Sequence, residues 1–261
     1  MNNDFDSLAQ ASGNTGADAP VLLDKPRHLD AGAGMRWVSQ AWTLFKARPG
    51  LWIGMVLAVL LIMMVLSMIP GLNFVLSLGF GVIIAGFVIS AYELDENQNL
   101  EFAHLFAGFQ RNLGQLLLLG VLYLAAILVI GIIAAVVFLV FGGISGGMGA
   151  WMHADSSAWG AGMIMGLMLG CLVFLALVVP VAMAIWFAPA LVALHAVPAI
   201  DAMKLSFQAC WANIMAFLVY GLVLVGLSIL ALLTLGLGYL VLLPVIYITY
   251  YTSYRDVLTE G

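Results

Sequence analysis

Charge is what this sequence has least of. Asp, Glu, Lys and Arg make up 8% of its 261 residues, against about 25% in a soluble globular domain. A chain so poor in charge cannot clothe a water-facing surface. A charged side chain at a bilayer centre, by contrast, costs roughly 2.5–3.5 kcal/mol, so scarcity of charge is what a bilayer requires. With 64% hydrophobic residues, the composition predicts a polytopic membrane protein in which one membrane domain accounts for nearly all of the chain. Cations are scarcer than anions, 8 against 13, for a net charge of −5. That balance excludes the basic face a nucleic-acid partner needs. Only two cysteines are present, Cys171 and Cys210. They fall at different predicted depths, so no disulfide is expected and the redox compartment stays unread.

Other absences narrow the function. The chain contains no H-E-x-x-H, no G-x-S-x-G and no phosphate loop, so the expectation is a non-enzyme without cofactor or metal. Its apolar stretches are continuous rather than alternating, which excludes a membrane β-barrel. The N-terminus "MNNDFDSLAQASGNTGADAP" is polar and acidic. It lacks a basic segment followed by a short apolar core, so it is no cleavable signal peptide. Residues 1–30 are expected to form a disordered cytoplasmic tail, and 31–261 a six-span membrane domain.

About 20 apolar residues cross a bilayer as a helix. Six stretches qualify: Leu51–Ile69, Leu72–Tyr92, Leu113–Phe141, Gly160–Phe187, Ile214–Leu235 and Gly238–Tyr254, none holding Asp, Glu, Lys or Arg. Pro70-Gly71 and Gly236 to Gly238 make the two outer connections tight turns. Lys25, Arg27, Arg36, Lys46 and Arg48 precede the first stretch. Arg111, Lys204 and Arg255 follow the second, fourth and sixth. All eight cations therefore fall on the side that holds both termini, which the positive-inside rule makes cytoplasmic.

Ahead of Pro49, Met35, Val38, Trp42 and Phe45 share one helical face, opposite Arg36, Ser39, Gln40, Thr43 and Lys46. This is an amphipathic helix suited to the headgroup plane, its apolar face on acyl chains and its cations on anionic lipid. The device returns in "LEFAHLFAGFQRN", where Phe102, Leu105, Phe106 and Phe109 oppose Glu101, His104 and Arg111, with Asn99 as the expected cap. It returns again in "PAIDAMKLSFQACWAN", where Ile200, Met203, Phe207 and Trp211 oppose Asp201, Lys204 and Gln208, and Pro198 suits a first helical position. Aligning Pro49, Asn112 and Asn213 gives a threefold repeat of interfacial helix, break and two-helix hairpin. The predicted fold is thus all-α: six transmembrane helices with three cytoplasmic-side interfacial helices.

Gly34, Trp37, Trp42, Phe45, Lys46, Arg48, Pro49 and Trp52 carry a resemblance. A glycine, an amphipathic stretch bearing Trp and Phe, and a basic residue before a break resemble the start of uncharacterised six-helix transmembrane proteins of proteobacteria. The resemblance is strongest over residues 34–52. It implies an inner-membrane location and brings no activity.

Candidate sites each have a plainer reading. Gly162, Gly166 and Gly170 form two G-x-x-x-G steps, read either as an oligomer seam or as packing within the chain. Pro180 and Pro244 lie inside predicted spans; they are candidate helix breaks of the kind transporters use, or ordinary membrane prolines. In the external loop "FGGISGGMGAWMHADSSAWG", Met148, Met152 and His153 offer soft ligands for Cu(I), while Trp151 and Trp159 suit simple interfacial anchors. Tyr247, Tyr250, Tyr251 and Tyr254 read as an interfacial aromatic belt, and His104 and His195 as interfacial polar residues. Glu93, Asp95 and Glu96, with Glu101, form either a divalent-cation knot or a solvated loop. The expected role is a non-enzymatic membrane scaffold or accessory component. Its partners are membrane lipids and either further copies of itself or another membrane protein, with no nucleic acid. The rival is a transporter or channel for a neutral or apolar solute.

Overall fold

The structure, a computed structural model, describes the backbone over residues 20–69, 73–143 and 156–260, and side chains over 20–69, 78–143 and 162–260. Nine α-helices follow in order among these residues: α1 Ala33–Ala47, α2 Pro49–Ser67, α3 Asn73–Asn97, α4 Leu113–Phe138, α5 Ser156–Trp186, α6 Ala188–His195, α7 Ala199–Ala212, α8 Ile214–Leu233 and α9 Tyr239–Leu258. A 3-10 helix, Phe102–Phe109, precedes α4, and Leu139–Gly143 extends α4 in π geometry. Among the described residues there is no strand, only an isolated bridge between Leu22 and Thr259.

Five segments of the described chain are long and apolar enough to cross a membrane: Pro49–Ser67, Leu78–Asn97, Leu113–Gly143, Gly162–His195 and Ile214–Leu233. The sixth expected stretch, Gly238–Tyr254, lies in α9. That helix is long enough, at about 1.5 Å per residue, but Thr249, Thr252, Ser253, Arg255 and Asp256 lower the apolarity of its C-terminal half. Neither candidate proline breaks its helix. Helix α5 continues through Pro180 and α9 through Pro244. The break falls instead at Phe187, where α6 starts with Pro189 in its first turn.

The chain divides into two compact units, residues 1–121 with 184–261, and residues 122–183. In the first, α9 is the hub, packed by α1, α3 and α2, while α3 also carries the 3-10 helix and α6. Close backbone approach seats these elements. A Cβ on Gly34 would meet the carbonyl of Ala216 and lie 2.5 Å from the Tyr220 nitrogen on α8. Gly86 of α3 meets the Leu105 carbonyl, and Gly108 meets that of Val82, so the 3-10 helix lies directly on α3.

The tail expectation needs correcting at residues 20–29; residues 1–19 lie outside the described set. Leu23 N–H donates to the Leu258 carbonyl at 2.9 Å, and Arg27 N–H to that of Val257 at 2.8 Å. These bonds satisfy carbonyls that a helix end leaves orphaned. Asn213 fastens the same segment, accepting from Leu29 N–H at 2.8 Å and donating to the Arg27 carbonyl at 2.9 Å. Two local expectations also change. The 3-10 helix is capped by Glu101 and His104 in a reciprocal box, not by Asn99. Pro198 is the N-cap of α7, one position before the helix proper.

The second unit is an antiparallel pairing of α4 with α5. Gly162, Gly166 and Gly170 are all buried. A Cβ at Gly166 would lie 2.6 Å from Gly142 Cα and 2.8 Å from the Phe138 carbonyl, and one at Gly170 would lie 3.0 Å from the Ala134 carbonyl. The glycine face therefore packs within the chain.

Candidate functional site

The C-terminal half of α9 repeats Thr249, Thr252, Ser253 and Asp256 at helical spacing, which puts a polar stripe on a helix that is otherwise apolar. The first three of these side chains are fully buried, and buried polar groups need partners. Thr249 bonds the Tyr220 hydroxyl at 2.7 Å, and Thr252 donates to the Trp37 carbonyl at 3.1 Å. Ser253 accepts from Trp186 Nε1 at 3.2 Å and donates to the Thr249 carbonyl at 2.6 Å. Trp37 Nε1 donates to Asp256 at 2.9 Å. One turn away, Asp95 of α3 is ion-paired with Arg255 and accepts from the Tyr251 hydroxyl at 2.9 Å. His195 of α6 is hydrogen-bonded to Tyr254. Hydroxyls, indoles and one ion pair thus tie α1, α3, α5, α6 and α8 to a single helix.

Several expectations move as a result. Trp37, assigned to the membrane interface, is fully buried against Phe217 and Tyr220. Of the face meant for acyl chains, Val38 and Phe45 are buried in protein, while Met35 and Trp42 stay about half exposed. The tyrosines are packed rather than belted. Tyr251 and Tyr254 are buried, Tyr247 stacks on Phe87 at 4.2 Å, and Tyr250 stacks on Trp186 at 4.3 Å. His195 is buried, not interfacial. The acidic knot is divided, with Asp95 turned to Arg255 and Glu93 accepting from Asn97 at 2.7 Å. Among the described residues, no three His, Cys, Asp or Glu side chains gather as a metal site requires. Met148, Met152 and His153 lie outside the described residues. The buried Cys210 thiol has its pKa raised by desolvation, which keeps it an unreactive thiol.

The topology cations split into paired and free. Arg36 meets Asp30 at 2.8 Å, holding that carboxyl below its ordinary range; Lys204 meets Asp201 at 2.9 Å. Lys46, Arg48 and Arg111 are exposed and make no ion pair among the described residues. Three elements keep a second apolar face outward: Met35 and Trp42 on α1, Phe102, Phe106 and Phe109 on the 3-10 helix, and Ile200 and Trp211 on α7. Beside α1 lies an open cavity of about 510 Å³. Met35, Val38, Ser39 and Trp42 line it from α1, with Leu227 to Thr234 of α8 and Gly238 to Val245 of α9 forming its walls.

In sequence the chain is similar to a probable inner membrane protein of Burkholderia thailandensis. The two are 29% identical over 253 residues, covering 87% of this chain and 91% of that protein. No family model matches the chain, and no solved structure matches it.

Proposed function

We propose that this chain is an integral inner-membrane protein of six spans with both termini cytoplasmic, acting as a non-enzymatic scaffold. Membrane residence draws on the inner-membrane relative and on the five long apolar helices. The sixth span is α9, whose polar stripe is turned into protein rather than lipid. Orientation draws on the eight cations, all on one side of that six-span order. The threefold unit is α1, the 3-10 helix and α7, each placed before a helical hairpin.

One observation carries the scaffold reading. The three elements that precede the hairpins fix their inner faces by close packing, yet leave Trp42, Phe106 and Trp211 outward. A collar of this kind is built to meet lipid, a second copy or another membrane protein. Chemistry is not its evident use, because the buried hydroxyls and rings of α9 are taken up by partners on α1, α3, α5, α6 and α8. Unbroken helices at Pro180 and Pro244 favour the scaffold over a carrier with a midplane site.

Reporter fusions after Gly50, His104, Ala199 and the C-terminus should read cytoplasmic, and one after Ser156 periplasmic. Purification from native membranes should bring down a reproducible partner that Trp211→Ser or Phe106→Ser releases. Should the protein come down alone and carry a neutral solute across proteoliposome membranes, the scaffold reading fails in favour of transport.

A further inference from the structure

The chain enters its first helix by way of the end of its last. Residues 20–29 run beside the C-terminal turn of α9, where Leu22 and Thr259 form an antiparallel bridge. The carbonyls of Leu258 and Val257, orphaned by the helix end, accept from Leu23 N–H and Arg27 N–H. In return, Glu260 N–H donates to the Val21 carbonyl at 3.2 Å. The Arg27 guanidinium adds a bond to the Thr259 carbonyl at 3.2 Å. Further along, the same segment grips the α7–α8 joint. The Asn213 amide bonds both Arg27 and Leu29, and His28 Nδ1 donates to the Ala212 carbonyl at 3.3 Å.

Burial divides the two sides of this contact. None of residues 20–29 is buried, whereas Val257, Leu258 and Thr259 are at most 2% exposed. The segment is therefore held by hydrogen bonds that water can replace, with no apolar anchor of its own. Segments of that kind open locally, at less cost than unfolding the core. The end of α9 that it binds also carries Asp256, the acceptor of Trp37 Nε1, and Tyr254, bonded to His195. Helix α1 follows the segment after residues 30–32 alone, and Asp30 in that link pairs with Arg36. What holds the last turn of α9 thus bears on the seating of α1.

We propose that residues 20–29 are a releasable strap. Closed, the strap locks the end of α9 to the α7–α8 joint. Open, it uncovers Val257 to Thr259 and loosens the turn of α9 that holds Trp37, so that α1 is freed while the core stays folded. The strap rests on these contacts and not on the count of membrane spans, so failure of the reporter fusions would leave it standing.

The test is maleimide labelling of the full chain in mild detergent, with Cys171 and Cys210 replaced by Ser. Thr259→Cys probes the covered end, and Ser90→Cys, fully buried on α3, probes the core. Where reclosing outpaces labelling, each rate follows the population of its open state. Thr259→Cys should be labelled at least about tenfold faster than Ser90→Cys. Leu23→Pro removes the N–H donated to Leu258. It should speed labelling of Thr259→Cys about fivefold, the effect of one hydrogen bond, and leave Ser90→Cys unchanged. Asn213→Ala should do the same from the other end of the strap. In both variants amide hydrogen exchange should quicken over residues 33–47. Equal rates at the two probes, or equal acceleration of both, would mean that strap and core open as one, and the proposal would fall. An unmoved Thr259→Cys rate would show that the segment covers nothing. Unchanged exchange over residues 33–47 would overturn the link to α1.

Discussion

Gly34 is the position where one atom should cost most. It sits in the first turn of α1, and an added Cβ would press on the Ala216 carbonyl and approach the Tyr220 nitrogen to 2.5 Å. Both are backbone atoms of α8, so no rotamer change relieves the contact and α1 must move as a body. Overpacking of this kind costs about 1–3 kcal/mol. The shift also displaces Trp37, one turn on, whose Nε1 donates to Asp256 at 2.9 Å. A hydrogen bond to a charged acceptor contributes about 1.5–3 kcal/mol. Gly34→Ala should therefore destabilise by about 2–5 kcal/mol, allowing for partial relaxation. At roughly 2–4 °C per kcal/mol for a chain of this size, thermal melting in detergent should fall by about 4–20 °C. The control is Gly50→Ala, which has nothing within 4 Å and should hold or slightly raise the melting point. Equal melting points for Gly34→Ala and Gly50→Ala would refute the seating of α1 on α8.

Other expectations follow from the same packing. Gly166→Leu should lower detergent stability well beyond Met168→Leu, because Gly166 lies against Gly142 while Met168 is 68% exposed; equal melts would dismiss the glycine contact. Asp95→Asn should destabilise by about 1–3 kcal/mol, discounted from a fully buried pair because the side chains of Arg255 and Asp95 are 27% and 21% exposed. Restoration by Arg255→Gln in the same chain would show the cost to be an unpaired charge. Asp30, held below its ordinary 3.8 by Arg36, stabilises the fold above that value and loses the contribution as pH falls through the lowered one. The difference in melting point between wild type and Asp30→Asn should therefore be constant near neutrality and vanish in acid; a difference that grows in acid would contradict the pairing.

How much of this was legible depended on the kind of signal. Long apolar runs and missing charge are additive along the chain, so the helical class and five long apolar helices could be read directly. Glycine spacing in α5 also pointed at close packing, though not at its partner, Gly142. The interfacial helices were half legible. Their outward aromatic faces stood out by hydropathy, whereas the inward faces of Ala33, Gly34 and Ala41, or Ala199, Ala202 and Ala209, are small residues with little hydropathic contrast. Residues 20–29 were hidden by the polar stretch before them, although Val21, Leu22 and Leu23 interrupt it. The site around α9 was legible only as Thr249, Thr252 and Ser253 at helical spacing. Its partners come from 29 to 219 residues away, as with Tyr220 to Thr249, Asp95 to Arg255 and Trp37 to Asp256. Pairings at that separation are created by the fold and leave no local trace.

The central claim is that α9 crosses the membrane and brings the C-terminus back to the side of α1. Single cysteines at Leu237 and Glu260, placed in a chain with Cys171 and Cys210 replaced by Ser, test it with a membrane-impermeant maleimide on intact spheroplasts. The account predicts that Leu237→Cys is labelled from outside and Glu260→Cys only after lysis. Labelling of both from the same side would mean that α9 does not span, and the six-span scaffold would be wrong.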